Sequence, residues 1–247
     1  MKLSFAIPAY NEAGTIGKCL DSILNEVKKN SYMDNVEIIV VDNASTDNTA
    51  EIAKKYPGVK VVPEPRKGLC FARQQGYQSS TGDMIANVDA DSVLSPGWIN
   101  KVFAEFSKDE KLVALSGPVI YYDLGTFDNL LTSIFLHLGF VLHLINHHIL
   151  RRGSMLQGGN FILRKSALEK AGGFDLSVDF YGEDTNIARR ISPLGKVKFT
   201  FQLPIYTSGR RLRAEGVIMT GARYAINHIW ILIFNKPFTK KYQDIRY

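Results

Sequence analysis

Residues 84–92 read MIANVDADS, an apolar run that stops at two carboxylates, Asp89 and Asp91. The run over residues 85–88 is typical of a buried strand, and open α/β sheets bind ligands at the carboxyl ends of their strands. Two acids this close repel each other unless a cation lies between them. Mg2+ and Mn2+ bind one or two carboxylates together with diphosphate oxygens. The stretch therefore predicts an open α/β sheet with a metal site for a nucleotide-linked substrate, and the alternative is a solvated turn.

The segments around this stretch alternate between strand and helix signals. Strands are predicted at residues 3–7, 37–41, 59–62, 83–88 and 112–116, and helices at residues 15–29, 48–56, 67–79 and 96–106. Helices between consecutive strands imply right-handed crossovers and a largely parallel sheet. The loops after the first, second and fourth strands then meet at one edge. Those loops carry Tyr10, Glu12, Asp42, Asn43, Asp89 and Asp91.

Composition limits the possible classes. The chain has 247 residues, of which 45% are hydrophobic, enough for a core in one large domain or in a domain with a sizeable appendage. Its formal net charge of +6 favours an anionic partner, such as a nucleoside diphosphate, an acidic membrane face or a nucleic acid. Nucleic acid is not expected, because the basic residues are not interleaved with stacking aromatics and form no reading helix.

Two features predict the compartment. Cys19 and Cys70 are the two cysteines, and neither has the spacing of a metal ligand. The apolar stretch at the N-terminus is interrupted by Pro8 and then by Asn11 and Glu12, too early for a signal peptide. Both features favour a reducing cytosol.

Two further segments are apolar but interrupted. Residues 129–150 contain no Lys, Arg, Asp or Glu, and residues 217–234 form a second such stretch that basic residues follow. Because polar side chains interrupt it, the first is expected to lie in a membrane interface rather than span it, with a packed surface helix as the alternative; the second is expected to dock in the same way. His143 and His147 are four residues apart, as in a metal pair, but no third ligand has a supporting spacing, so solvated histidines are expected.

Several ordered motifs resemble the family-2 glycosyltransferases. They are residues 6–12 (AIPAYNE), residues 40–49 (VVDNASTDNT), Lys67-Gly68 with Ala72-Arg73, and Asp89-Ala90-Asp91. Gly158-Gly159-Asn160-Phe161, Gly172-Gly173-Phe174-Asp175 and Gly182-Glu183-Asp184 resemble acceptor-side segments of the same family. The likeness covers roughly residues 3 to 215, and the ordered combination is much more specific than any one motif.

The resemblance implies a fold and a division of the chain. The fold is of the GT-A type, an α/β fold with a Rossmann-like, mostly parallel central sheet flanked by helices and with C-terminal amphipathic helices near a membrane. Residues 1–125 are expected to form the nucleotide-sugar-binding half of a single domain, and residues 153–215 its acceptor and catalytic half. Residues 126–152 are expected to form an amphipathic interfacial helix, and residues 216–247 an apolar and basic C-terminal helix and tail.

The resemblance also implies the site residues. Donor binding is assigned to Pro8, Tyr10, Glu12, Asp42, Asn43, Lys67, Arg73, Asp89, Arg210 and Arg211, acceptor binding to Gly159, Asn160 and Glu183, and Mn2+ or Mg2+ binding to Asp91 and Asp89. Asp42 would accept a hydrogen bond from the nucleotide base, and Asp184 would be the general base for the attacking hydroxyl. The alternatives are a turn cap at Asp42 and a charged first helical turn at Glu183 and Asp184.

The sequence departs from the family pattern at two places. Some members have a histidine ligand after the pair that corresponds to Glu183-Asp184, and the first histidine after that pair here is His228. Processive relatives carry Gln/Arg-x-x-Arg-Trp, and Arg210-Arg211-Leu212-Arg213 lacks the tryptophan. The resemblance therefore implies inverting, non-processive transfer of one sugar from a nucleoside-diphosphate sugar, a UDP-sugar first, to a hydroxyl or phosphate acceptor.

The apolar segments add the expectation of a lipid or lipid-linked glycan acceptor and of a peripheral position on the inner face of the membrane. GDP-linked donors, a nucleotidyltransferase and a nonenzymatic membrane-associated module that binds nucleotide sugars stay open as alternatives. A nucleotidyltransferase would need a glycine-rich N-terminal loop, which Gly14 and Gly17 do not form.

Overall fold

A computed structural model describes residues 1–148, 155–178, 180–234 and 236–239, without the side chains of residues 142, 143, 145–148 and 232. Its strands are β1 (Leu3–Ala9), β2 (Val36–Asp42), β3 (Val59–Pro63), β4 (Met84–Val88), β5 (Val93–Leu94), β6 (Leu112–Ser116), β7 (Val119–Tyr121), β8 (Asn160–Arg164), β9 (Lys196–Phe199) and β10 (Ile205–Thr207). Its helices are α1 (Ile16–Lys29), α2 (Thr49–Lys54), α3 (Leu69–Ser79), α4 (Trp98–Lys108), α5 (Thr126–His148), α6 (Lys165–Lys170), α7 (Glu183–Ile191), α8 (Arg210–Glu215) and α9 (Val217–Phe234), with a 3-10 turn at Ser192–Leu194.

Seven strands form one sheet in the order β3-β2-β1-β4-β8-β6-β9. The pairs β1/β2, β2/β3, β1/β4 and β6/β9 are parallel, and β8 runs antiparallel between β4 and β6. The predicted α/β fold with a mostly parallel sheet is confirmed. Val88 pairs with Asn160, so β8 begins where β4 ends, and the loop before β8 lies at the carboxyl edge.

The main sheet is covered on both faces, which explains why its strands are largely apolar. Phe5 and Met84 belong to a core cluster with α1 and α4, whereas Ala6 and Ile85 belong to a second cluster with α6 and α7. Alternate side chains of a strand point to opposite faces, and a parallel sheet covered on both faces favours apolar residues at most positions. Asp89 and Asp91 accordingly follow the end of β4.

A small sheet of β5, β10 and β7 completes this edge. β10 pairs antiparallel with β5 and parallel with β7. Since β5 follows Asp91 closely in the sequence, the pairing brings Thr207, the last residue of β10, to the acidic pair. The main sheet takes strands from residues 1–125 and from residues 153–215, so the two expected halves share one sheet.

Helix α5 packs one face on the body of the protein and exposes the other. The Phe140 ring centroid lies 5.7 Å from that of Phe199 and 5.1 Å from that of Phe201, and His137 stacks on Phe201 at 5.3 Å. Ile134 and Leu138 remain exposed. Phe140, which interrupts the apolar periodicity of the sequence, is thus the side chain that anchors the helix.

Helix α9 lies against α5, α7 and α8, and its Ile231 is fully buried. Over the described ranges, every helix falls short of the length or apolarity that crossing a membrane requires. The side chains of His143 and His147, residues 149–154 and residues 240–247 lie outside the described part of the chain.

Candidate active site

A cavity of about 900 Å3 opens at the carboxyl edge of the main sheet. The sequence-predicted residues that line it are Pro8, Tyr10, Glu12, Asn43, Lys67, Arg73, Asp89, Asp91, Glu183, Asp184, Arg210 and Arg211. These residues follow the ends of β1, β2 and β4 or come from the loop before α3, α3 itself, the start of α7 and α8, so the fold brings distant segments together. Asp42, Gly159 and Asn160 do not line the cavity.

Arg210 connects two of the acids. Its guanidinium donates to both carboxylate oxygens of Glu12, with an Nη1–Oε2 distance of 2.9 Å, and its Nη2 lies 3.1 Å from Asp91 Oδ2. Thr207 Oγ1 donates to the other Asp91 oxygen at 2.9 Å, and Thr15 Oγ1 donates to Glu12 at 2.6 Å. Arg210 therefore supplies the positive charge between two buried carboxylates.

The neighbourhood of Asp91 remains short of positive charge. Burial raises the pKa of Asp91 to about 6, Arg210 opposes that shift, and the charges of Asp89 and Glu12 raise the pKa further. A carboxyl with a raised pKa among other acids fits a cation ligand. Within the described residues no cluster of three or more His, Cys, Asp or Glu ligands exists. The donor set fits Mg2+ or Mn2+, which take one or two carboxylates and complete their shell with phosphate oxygens and water.

Arg73 forms a buried ion pair on the other side of Asp89. Its Nη2 lies 3.0 Å from Glu183 Oε1 and 3.5 Å from Asp89 Oδ1, and its side chain is 1% exposed. Burial raises the pKa of Glu183, and the Arg73 charge opposes this shift. Arg73 Nε, Arg73 Nη1 and Glu183 Oε2 are buried and have no hydrogen-bond partner among the described residues. Burying a polar group without a hydrogen-bond partner costs free energy, so a bound ligand that pairs with these atoms would recover that cost.

Backbone amides hold Asp184 in one orientation. The N–H of Gly158 donates to Asp184 Oδ2 at 3.0 Å, and the N–H of Thr185 donates to Oδ1 at 2.6 Å. The Thr185 hydroxyl lies 3.3 Å from the same oxygen and 3.1 Å from Nδ1 of His228 on α9. Burial lowers the pKa of His228, and the charge of Asp184 opposes the shift. A carboxylate fixed in this way at a cavity wall has the placement of a general base.

Tyr10 and Lys67 line the cavity at one rim. The Lys67 ammonium lies 3.9 Å from the centroid of the Tyr10 ring. Asn43 shapes the loop that carries this lysine, because its amide donates to two carbonyls of residues 64–66 at 3.0 and 2.7 Å and accepts from the N–H of Gly68 at 2.8 Å. Asn43 therefore holds the backbone of the loop that carries Lys67.

The expected acceptor contact of Asn160 is wrong. Asn160 is fully buried, and its Oδ1 accepts from Trp98 Nε1 at 3.2 Å. Its Nδ2 donates to the carbonyls of Pro118 at 3.1 Å and Leu203 at 2.8 Å. As the first residue of β8, Asn160 points its side chain under the sheet towards α4, where it ties together three segments beneath the site.

Gly159 and Asp42 lie beside the cavity. Gly159 has φ +76°, and a Cβ at this position would collide with the Asp89 carboxylate, so the glycine allows the backbone to approach that acid. Asp42 Oδ1 accepts from the N–H of Ser45 at 3.2 Å. This bond is the turn contact of the alternative interpretation of Asp42.

Some residues of the site were not predicted. Thr207 and Tyr121 line the cavity, and burial raises the pKa of Tyr121 to about 12. Phe180 lies under the Arg211 guanidinium at 4.8 Å, and Arg211 pairs with Glu215 at 2.6 Å. Thr207 reaches Asp91 through the pairing of two very short strands, and strands of two or three residues leave no periodicity that a sequence could reveal.

Curated relatives of the chain are glycosyltransferases or glycan synthases by name. The chain is 30% identical over 215 residues to the "Probable glycosyltransferase YdaM" of Bacillus subtilis, an alignment that covers 78% of this chain and 47% of the relative. It is 32% identical over 117 residues to the hyaluronan synthase of Pasteurella multocida, with 46% of this chain and 12% of the relative covered. The chain thus spans about half, or less, of the length of these relatives.

Solved structures share the fold, and a family model matches the sequence. A mannosyltransferase of Pyrobaculum calidifontis, PcManGT, in complex with GDP-Man and Mn2+ aligns with a TM-score of 0.68 and 21% identity, over 88% of this chain and 62% of that one. Residues 1–349 of S. aureus TarS align with a TM-score of 0.65 and 19% identity, over 92% and 66%. The model "Glycosyl transferase family 2" matches residues 4–172, and the chain therefore belongs to glycosyltransferase family 2.

Proposed function

We propose that this chain is a metal-dependent, inverting, non-processive glycosyltransferase that moves one sugar from a nucleoside-diphosphate sugar to a hydroxyl or phosphate acceptor. The observation that supports the proposal most is the meeting of the acidic pair, the oriented Asp184 and the buried Arg73 in one cavity. The membership of family 2 gives the reaction class. A UDP-sugar is the first candidate donor, and a GDP-sugar the second.

The donor would lie between the ends of β1 and β4 and the start of α3. Lys67, Arg73 and Arg211 line this part of the cavity with cationic groups, which suits two phosphates. The unpaired N–H groups of Arg73 would donate to phosphate oxygens. Tyr10 and Pro8 would border the base and ribose, and we retain Asp42 as a proposed contact to the base through its second oxygen.

Asp91 and Asp89 would hold Mn2+ or Mg2+, which when bound supplies positive charge to the departing diphosphate. The neighbour described with Mn2+ supports a divalent metal, and both neighbours support a nucleotide-sugar donor. PcManGT is described with GDP-Man and Mn2+, and TarS is described with UDP-GlcNAc and with UDP.

Asp184 would act as the general base for a hydroxyl acceptor. It accepts the hydroxyl proton while the acceptor oxygen bonds to the anomeric carbon, and the bond from that carbon to the diphosphate oxygen breaks, with the electron pair leaving on the nucleoside diphosphate. One displacement inverts the anomeric configuration. Because the N–H groups of Gly158 and Thr185 already hold the Asp184 carboxylate, it needs little reorientation for this step.

A calorimetric titration tests the donor. UDP, UDP-GlcNAc, GDP and GDP-mannose are each titrated into the protein with Mn2+ and with EDTA. We expect metal-dependent binding of one nucleotide and its sugar conjugate. Metal-independent binding would remove the metal from the proposal, and no binding to any of them would contradict the transferase function.

We further propose that the protein acts in the cytoplasm, peripherally on the inner face of the membrane, on a lipid or lipid-linked glycan. Exposed apolar side chains on two adjacent helices support this location; they include Phe127, Leu130, Ile134, Leu138, Ile218, Met219, Ile229 and Ile233. Basic residues follow α9 in the sequence and favour anionic lipids; they include Lys236, Lys240, Lys241 and Arg246.

Cosedimentation with phosphatidylcholine vesicles, with and without phosphatidylglycerol, tests the location. We expect binding that increases with the anionic lipid, and no binding to either vesicle would contradict the membrane role.

A further inference from the structure

We propose that the part of the cavity between α5 and α9 binds the hydrocarbon chain of the acceptor, so that the acceptor is a lipid whose head group reaches Asp184. The inference rests on the proposed transferase function and names the substrate class of its second substrate. We call this part of the cavity the apolar compartment; it is lined by Phe135, Leu136, Leu138 and Gly139 of α5 and by Val217, Gly221, Tyr224, Ala225 and Ile229 of α9.

The lining residues follow one stripe on each helix. On α9 the spacing of Val217, Gly221, Tyr224 and Ala225 places them on a single face, and the same holds for Leu136 and Gly139 on α5. Gly139 leaves open space beside α5, since a Cβ there would meet no atom within 4 Å, whereas Gly221 of α9 lies against the Phe135 ring, 3.1 Å from where its Cβ would stand. The two helices therefore form the walls of a cleft.

The mouth of the apolar compartment lies on the exposed apolar surface. Leu138 and Ile229 line the cavity and are also 56% and 51% exposed. Side chains that do both mark the place where the cavity meets the outside. A chain leaving a bilayer on which these helices rest would enter here without crossing a polar rim.

The inner end of the apolar compartment reaches the proposed base. His228 lies one helical turn beyond Tyr224 on α9, and its Nδ1 is 3.1 Å from the hydroxyl of Thr185, the residue after Asp184. Both His228 and Asp184 line the same cavity. A head group at Asp184 and a chain between the helices therefore fit one continuous ligand.

The chemistry of the walls favours hydrocarbon over a free glycan. Sugar hydroxyls need polar partners. Thr132 and Asn227 also line the cavity from these helices, but the Thr132 hydroxyl donates to the Asn129 carbonyl at 2.9 Å, and the Asn227 amide donates to the Arg223 carbonyl and to Thr239 at 2.8 and 2.9 Å. Phe135, Leu136 and Ile229 offer only apolar surface. Burial of hydrocarbon against such walls is favourable by about fourfold in affinity for each methylene.

Alkyl phosphates of increasing chain length test the inference. Butyl, octyl and dodecyl phosphate are titrated calorimetrically below their micelle-forming concentrations into the wild-type chain. We expect dodecyl phosphate to bind at least about a hundredfold more tightly than butyl phosphate, since several methylenes are buried. Affinity independent of chain length would overturn the inference, and this series needs no variant to fold.

Two matched pairs of variants locate the binding. Gly139→Phe fills the apolar compartment from α5, and Gly139→Ala is its control because it adds a Cβ in open space. Ala225→Phe fills it from α9, and Ala222→Phe is its control because Ala222 is exposed and does not line the cavity. We expect both filling variants to lose at least about tenfold in affinity for dodecyl phosphate, and the controls to stay within about twofold.

Equal losses in a filling variant and its control would overturn the inference, because the chain would then bind elsewhere on the apolar surface. A concentration-dependent dimer that binds no dodecyl phosphate would overturn it as well, with a second copy as the occupant. Donor binding is measured on the same proteins. If the wild-type chain binds no nucleotide but its affinity for alkyl phosphates still depends on chain length, the proposed function is contradicted and the apolar binding site is still supported.

Discussion

The two ends of the cavity are built in different ways. At the polar end, Asp91 follows a strand of a sheet that is covered on both faces; Arg210 and Thr207 bind Asp91 at hydrogen-bond distances, and the same Arg210 guanidinium binds Glu12. At the other end, α5 and α9 leave Leu138 and Ile229 more than half exposed. The difference shows that recognition of charged groups needs rigidly placed side chains, whereas recognition of a hydrocarbon chain does not. Charged groups act through directed, short contacts, whereas apolar contact is non-directional and scales with area.

Asp184→Asn tests the polar end of the cavity. We expect a hundred- to ten-thousandfold loss of sugar transfer, about the contribution of a general base, with the dissociation constant of the donor changed by less than about threefold. Transfer rate and calorimetric donor affinity are measured on the same preparation. Asp34→Asn, at an exposed position away from the cavity, is the control and should keep full activity. An equal loss of donor affinity would move Asp184 from the base to the donor site.

Arg73→Met tests how much one buried ion pair at the polar end contributes to the stability of the protein. We expect the free energy of unfolding to fall by about 3–5 kcal/mol, because Glu183 would be left buried without its partner. Urea unfolding measures the change, and the double variant with Glu183→Leu should recover most of it. Lys196→Met removes an exposed pair with Asp109 and should cost less than about 1 kcal/mol. No recovery in the double variant would show that packing of Arg73 matters more than its charge.

Ile218→Ser combined with Ile233→Ser sharpens the comparison at the helical end. These side chains are 67% and 63% exposed, so the free energy of unfolding should change by less than about 0.5 kcal/mol for each. Binding to anionic vesicles should weaken by about tenfold or more, because two apolar groups leave the interface. Met33→Ser, 61% exposed and outside the two helices, is the control and should leave vesicle binding unchanged. Equal effects of both changes would place the contact surface elsewhere.

His228→Gln probes the link between the two ends, with the smallest expected effect. The pKa of His228 is lowered in the folded protein, so below pH 6.5 the unfolded chain takes up this proton first. Stability from this group is therefore present above pH 6.5 and is lost as the pH falls, with a slope of at most about 1.4 kcal/mol per pH unit. Urea unfolding should show a shallower acid loss in the variant. Parallel curves for the two proteins from pH 8 to pH 5 would contradict the shift.

The sequence predicts the main sheet well because burial leaves a direct signal. The strand at Leu112–Ser116 and the helices at Ile16–Lys29 and Leu69–Ser79 lie close to where the sequence pattern predicts them. The predicted helix over residues 48–56 ends earlier, at Lys54. Tyr56 leaves the helix, and its hydroxyl donates to the Gly17 carbonyl at 3.2 Å. A tertiary contact of this kind overrides local propensity and is not visible in the sequence.

The site is predicted less completely because motifs name residues and not their partners. The family resemblance points to Glu12, Asp91 and Arg210 separately, and only the structure joins them in one network. The same limit explains Asn160, which belongs to a motif near the site but has a buried side chain. A motif indicates that a residue lies near the active site, but the register of the strand decides which face of the sheet its side chain points to.

The short distance along the chain between α8 and α9 has a practical consequence. Gly216, with φ +82°, is the one residue between the helix that carries Arg210 and the helix that carries the exposed apolar surface. A chain shortened before residue 210 to improve its behaviour in solution would lose the counter-charge of Glu12 and Asp91 together with that surface. Truncation therefore confounds loss of anchoring with loss of chemistry, and outward-facing point substitutions are the cleaner route to a well-behaved protein.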